Sequence, residues 1–170
     1  MDPNPFTRTQ EPASPGDLAA IEQTYQFTLP TDYKAHLLQY NGGRPARRTF
    51  LELQPNGREV KRKISDFYSV RYGKNTLERS LELLYDQLHP DLVPFGDETG
   101  GDVFVMSVGP QDYGAVYYIA HESYIPPEYE YDDEADESTP PAPLDYGTGV
   151  HFLAPSFTAF LDGLVTGTPV

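Results

Sequence analysis

Hydrophobic positions along this chain change period more than once, and the changes divide it into blocks of helix and strand. Leu18, Ile21 and Tyr25 recur at helical spacing behind Ser14-Pro15-Gly16-Asp17. There the Ser can cap, the Pro suits a first turn, and the acid complements the positive end of the helix. A second helix is predicted from Pro30-Thr31, with a Thr or Asp oxygen available as cap. Tyr33, Leu37, Leu38 and Tyr40 fall on one broad stripe of it, and Asn41-Gly42-Gly43 supplies left-handed residues to end it. Phe27 and Leu29, in the link between the helices, are expected to be buried.

After Gly43 the period shortens. Phe50, Leu51 and Leu53 predict a strand, and Pro55-Asn56-Gly57 is a hairpin signal. The return arm, Glu59–Val70, carries Val60, Ile64, Phe67 and Val70 and reads as strand in its first half. Asn75, with Glu78 at the capping-box position, predicts a third helix whose apolar face is Leu77, Leu81, Leu84, Tyr85 and Leu88. Pro90 ends it. Three strand-like runs follow, Leu92–Phe95, Val103–Val108 and Ala115–Ala120, the last two joined by the turn-rich segment Gly109–Gly114. Phe157, Phe160, Leu161 and Leu164 then lie at helical spacing behind Pro155-Ser156. Helices early, strands next and one closing helix argue for an α+β fold. We expect a single domain, an antiparallel β-sheet packed with N-terminal helices, a central helix and a C-terminal helix. Its 170 residues suffice to bury roughly 70% of the unfolded surface. Residues 1–13, polar and Pro-rich, are expected as a flexible leader, with the domain at 14–170.

Composition narrows the function. The chain has no cysteine, which excludes disulfides and thiolate metal sites. The first residues contain no apolar core of the kind a signal peptide needs, and no apolar run approaches the ~18 residues that span a bilayer. A cytoplasmic protein with no membrane partner is the expectation. The net charge is −14, and it is unevenly placed. Residues 1–79 hold all 12 Lys and Arg and nine carboxylates, a balance of +3, whereas residues 80–170 hold 17 carboxylates and neither Lys nor Arg. Such a field repels nucleic acid, whose binding rests on neutralising phosphates, and favours cationic partners. It also serves solubility alone.

Several groups are candidates for chemistry or recognition. Glu128–Glu137 reads EYEYDDEADE, seven carboxylates in ten residues, flanked by prolines within a segment, 122–145, that reads as an acidic loop insertion. Repulsion and proline oppose regular structure there. It is either a solvated linker or a contact surface, in which Tyr124, Tyr129 and Tyr131 add ring area to the carboxylates. Asp97, Glu98 and Asp102 surround Gly100-Gly101. They could cap a tight turn, touch a partner, or hold Ca²⁺, although the spacing does not match a D-x-[DN]-x-[DN]-G loop. His121-Glu122 reads as a hydrogen-bonded brace or an acid–base pair lacking a third group. Arg58, Lys61, Arg62 and Lys63 suggest a solvated face or a charged edge strand. No G-x-S-x-G and no phosphate-cradling glycine motif is present. We expect no catalytic residue, no cofactor and no metal.

LP-x-x-Y-K…NGG at Leu29–Gly43, FGD-x-x-GGD-x-F at Phe95–Phe104 and HE at His121-Glu122 occur in an order that resembles the SUKH superfamily, named for yeast cell-wall-synthesis regulators and their bacterial and viral relatives. The resemblance covers roughly Asp17 to Leu164. Tyr117, Tyr118 and Ile119 stand where the family usually has a Trp shortly before the HE pair. It implies an antiparallel sheet packed with helices and, for bacterial members, a non-enzymatic immunity protein that neutralises a cognate polymorphic toxin. That toxin is expected to be a basic protein domain, such as a nuclease, and nucleic acid itself is not an expected partner. The expected contact residues are Glu128, Tyr129, Glu130, Tyr131, Asp132, Asp133 and Glu134, with Asp97 and Glu98. The alternative is a regulatory scaffold binding an endogenous protein.

Overall fold

A computed structural model describes residues 4–84, 87–125 and 146–166. Helix α1, Pro15–Tyr25, begins with a reciprocal cap: Ser14 Oγ accepts from the Asp17 N–H at 3.1 Å, and the Asp17 carboxylate accepts from the Ser14 N–H at 3.0 Å. Helix α2 is Thr31–Gln39. Its stripe is narrower than the sequence suggested, since Tyr33 and Leu37 are buried while Leu38 faces solvent. No side chain caps the helix at Pro30. Asp32 instead accepts the Tyr33 N–H on one oxygen, and on the other both the N–H and the hydroxyl of Thr158, each at 2.9 Å. This fastens α2 to the start of α4, Phe157–Asp162, where Ser156 Oγ caps the Ala159 N–H. At α3, Leu77–Leu84, the cap is Thr76 rather than Asn75: Thr76 Oγ1 accepts from the Arg79 N–H, and Glu78 accepts from the Arg71 N–H.

Among the described residues the strands form three antiparallel sheets. The largest has the order β5-β6-β7-β8-β9, with β5 Asp66–Phe67, β6 Leu92–Asp97, β7 Val103–Ser107, β8 Val116–Ile119 and β9 Val150–Ala154. The second has the order β10-β3-β4, with β3 Thr49–Leu53, β4 Glu59–Lys63 and β10 Leu164–Val165. In the third, β1 (Phe6–Thr7) pairs with β2 (Arg44–Pro45). Part of the stretch expected as a leader is thus tied down. Phe6 lies against His36, Tyr40 and Phe67, and the Asn4 side chain bonds to the Arg47 backbone on both sides. The family motif at Asn41 serves the same end. Its buried amide donates to the carbonyls of Glu11 and Val70 and accepts from the Val70 N–H.

The main core lies on one face of the large sheet. Phe95, Phe104, Met106 and Val116 meet Tyr33, Leu37, Phe157 and Phe160 there, each large side chain stabilising the fold by about 1.5–3 kcal/mol on burial. A smaller cluster, Leu92, Val105, Ile119 and Tyr146, covers the other face. This is a single α+β domain. Gly96 lets β5 approach β6, since a Cβ there would sit 2.6 Å from Ile64 Cδ1 and 2.9 Å from the Asp66 carbonyl.

The hairpin at residues 54–58 forms as predicted, but its facing does not follow the apolar residues. On β3, Phe50 and Glu52 point inward, while Leu51 and Leu53 face solvent. Strict alternation gives each strand one choice of face, and here the choice buries a glutamate. Among the described residues no helix is long and apolar enough to cross a membrane.

Candidate functional site

The FGD-x-x-GGD motif builds the β6–β7 turn. The Gly101 N–H donates to the Glu98 carbonyl at 3.0 Å, and the Glu98 N–H to the Asp102 carbonyl at 2.8 Å. Gly101 has φ +105°, a conformation that favours glycine, and a Cβ would meet the His121 ring at 3.4 Å. The turn is therefore shaped to let that imidazole lie over its backbone. Thr99 is anchored to Ser65 through its N–H and hydroxyl.

Tyr118, from β8, reaches back to this turn. Its hydroxyl lies within hydrogen-bond distance of the carboxylates of both Asp102 and Glu98, the latter at 2.9 Å. Asp102 also accepts from the His121 N–H at 2.9 Å and faces His121 Nδ1 at 2.5 Å. Asp97 accepts from the Tyr68 hydroxyl at 3.2 Å. Burial works to raise the Asp102 pKa but is outweighed by the bonds from Tyr118 and His121, which hold it below the usual carboxylate value. The bond to Asp102 pushes His121 up. Asp97 is raised, chiefly by burial, with the Tyr68 bond offsetting part of it. Burial and then the two carboxylates raise Tyr118 well above an ordinary phenol, so its hydroxyl stays a donor. The histidine of the HE pair thus bonds to Asp102 rather than to its neighbour Glu122. The acids of the turn brace β6, β7 and β8 through these bonds. Among the described residues, no group of three metal-ligating side chains is placed to hold an ion.

The brace continues toward the three-stranded sheet. Arg62, from the basic run on β4, turns inward rather than into solvent and lies 4.3 Å above the Tyr118 ring. It pairs with Glu52 Oε2 at 3.4 Å, alongside Gln54 Nε2 at 3.1 Å. His151 Nδ1, from β9, stands 3.7 Å from Glu52 Oε1. The chain Glu52–Arg62–Tyr118–Asp102–His121 therefore crosses from one sheet to the other. A second carboxylate, Asp112, collects the hydroxyls of Ser107, Tyr117 and Tyr146 at 2.5–2.8 Å and pins the Gly109–Gly114 connection.

Of the expected contact residues, Asp97 and Glu98 are brought together at this turn. Glu128, Tyr129, Glu130, Tyr131, Asp132, Asp133 and Glu134 lie outside the described residues. Tyr124, at the start of the same segment, donates to the Gln87 carbonyl at 2.9 Å. Sequence reasoning missed the pairing of Glu52 with Arg62 and the approach of His151 to it. The available signal was a lone acid inside Phe50-Leu51-Glu52-Leu53, hairpinned to an arm containing an arginine.

The fold and this brace define a small α+β domain whose polar motif residues hold sheets together. The model of the SMI1 / KNR4 family (SUKH-1) matches residues 12–163, and the chain belongs to that family. No curated protein matches it.

Proposed function

We propose that this chain is a cytoplasmic, non-enzymatic immunity protein that binds a cognate bacterial toxin domain and blocks it. The observation that carries the proposal is membership of the SMI1 / KNR4 family over most of the chain, a family that fits an immunity or regulator-like role. The charge asymmetry refines it. A half-chain with 17 carboxylates and no Lys or Arg presents a field that speeds encounter with a basic partner. A nuclease with a cationic cleft is the toxin class such a surface fits. In this reading the 122–145 insertion, through Glu128–Glu134 and its tyrosines, makes the contact together with Asp97 and Glu98. The regulator reading, in which the partner is an endogenous protein, draws on the same family name.

The test is growth rescue. Expression of a toxin domain encoded beside this chain's gene should arrest cells, and co-expression of the chain should restore growth. Replacing Asp132, Asp133 and Glu134 with Lys should weaken rescue. Rescue undiminished by that change removes the insertion from the contact surface. Failure to rescue from any neighbouring toxin, with capture of a housekeeping protein instead, replaces the immunity reading with the regulator one.

A further inference from the structure

Where β3 approaches β9, a cleft of about 790 Å³ opens, lined by Glu52, Leu53, Pro55, His151 and Phe152 among others. Two of its features differ from an ordinary solvated surface. Leu53 and Phe152 expose 72% and 55% of their area although both are large and apolar. Glu52 is only 4% exposed, and its Oε1 is buried without a hydrogen-bond partner. A carboxylate oxygen in that state is under-satisfied, since buried charge requires donors on both oxygens to offset its lost hydration. Oε2 has them in Arg62 and Gln54. Oε1 has only the His151 imidazole at 3.7 Å, beyond hydrogen-bond reach, and that side chain is 35% exposed.

We propose that this cleft docks a protein partner by taking one of its Arg or Lys side chains. The cation donates to Glu52 Oε1 as His151 turns aside, while Leu53 and Phe152 cover its aliphatic stem. Charge selects this occupant. Glu52 Oε1 is an acceptor lacking a donor, the half-exposed Phe152 ring can meet a cation, and the whole chain carries −14. A guanidinium or ammonium has donors only, so it satisfies that oxygen without bringing an acceptor of its own. The proposal rests on the reading of the chain as a partner-binding protein and gives that reading a second surface, between β3 and β9.

The test is a titration of the full, isotope-labelled chain with acetyl-Gly-Leu-Arg-Leu-Gly-amide, followed by NMR. A matched peptide carries citrulline, which has the shape of arginine without its charge. Saturable shifts are expected at the amides of Leu53, Gln54, His151 and Phe152, with the citrulline peptide binding at least about tenfold more weakly. Glu52→Gln should abolish the discrimination between the two peptides. Leu53→Ser, at a site exposed enough to spare the fold, should weaken binding several-fold and His151→Ala should strengthen it. Absence of shifts, equal binding of both peptides, or shifts confined to other surfaces overturns the proposal. So does a concentration-dependent self-association that Leu53→Ser abolishes, which would make the cleft an interface between copies. A failed titration leaves the immunity reading intact, because growth rescue tests that separately.

Discussion

Replacing His36 with Phe should remove a defined portion of this protein's sensitivity to acid. His36 sits on α2 within a cage of rings, with Phe6 at 4.9 Å, Phe157 at 5.2 Å, Phe67 at 5.8 Å and Tyr40 at 5.9 Å between centroids. Its Nε2 is buried without a hydrogen-bond partner. Burial pushes its pKa down from 6.5 to about 4, because the charged form would lose its hydration among apolar rings. The unfolded chain therefore takes up a proton near pH 6.5 that the folded chain refuses until about pH 4. Stability is unaffected above that window and falls as pH drops through it. At about 1.36 kcal/mol per pH unit, the full loss is about 3 kcal/mol, of which about 2.5 is felt by pH ~4.5. Phe fills similar volume and has no titrating nitrogen. Urea melts of both proteins, extrapolated to water at about pH 7 and about pH 4.5, measure the difference. The variant's stability should fall by about 2.5 kcal/mol less than the wild type's over that interval. Parallel pH profiles would refute the assignment of a neutral, caged imidazole.

Two further substitutions probe the family motifs. Asn41→Ala removes three hydrogen bonds to the backbone and leaves the Val70 N–H unpartnered. It should cost about 2–4 kcal/mol, lowering the thermal midpoint by roughly 5–15 °C, and a change within error would show that the NGG asparagine is not structural. Asp102→Asn should return the His121 titration, followed by NMR, toward 6.5 from its raised value. The sign follows from the two shifts. Raised His121 adds stability below 6.5 that is lost as pH climbs through its folded value, and lowered Asp102 adds stability above 3.8 that is lost as pH falls through its own. The pair is therefore most effective between those limits, and a His121 titration unmoved in the variant would contradict it.

Local signals in the sequence were sufficient where structure is local. Ser14-Pro15-Gly16-Asp17 forms the reciprocal cap, Pro55-Asn56-Gly57 closes its hairpin, and Ser156 caps the last helix. The three strand-like runs from Leu92 to Ala120 become adjacent antiparallel strands. What escaped depends on partners distant in the chain. Strand β9 is edged by a segment with no strong alternation, and it is fixed by pairing with β8. Strands β1 and β10 are two residues each and exist because β2 and β3 are there to receive them. The facing of β3 runs against its composition: Glu52 goes inside, where Arg62 and Gln54 donate to it and His151 stands nearby. The sequence presents His121-Glu122 as a brace or an acid–base pair, and in the structure the histidine's partner is Asp102 on a neighbouring strand end rather than Glu122. The turn acids Asp97 and Glu98 were legible as a cluster, while their dependence on Tyr68 and Tyr118 was visible only in three dimensions.

The most direct measurement is the affinity of the chain for the toxin domain proposed as its partner, taken across ionic strength. Between about 0.01 M and about 1 M salt the Debye length shrinks from about 30 Å to about 3 Å. Recognition through the acidic half of the chain predicts tight binding at the low end and a steep loss toward the high end. Lys substitutions at Asp132, Asp133 and Glu134 should both weaken the complex and flatten its salt dependence. An affinity that holds across that range, unchanged by the substitutions, would contradict an acidic recognition surface.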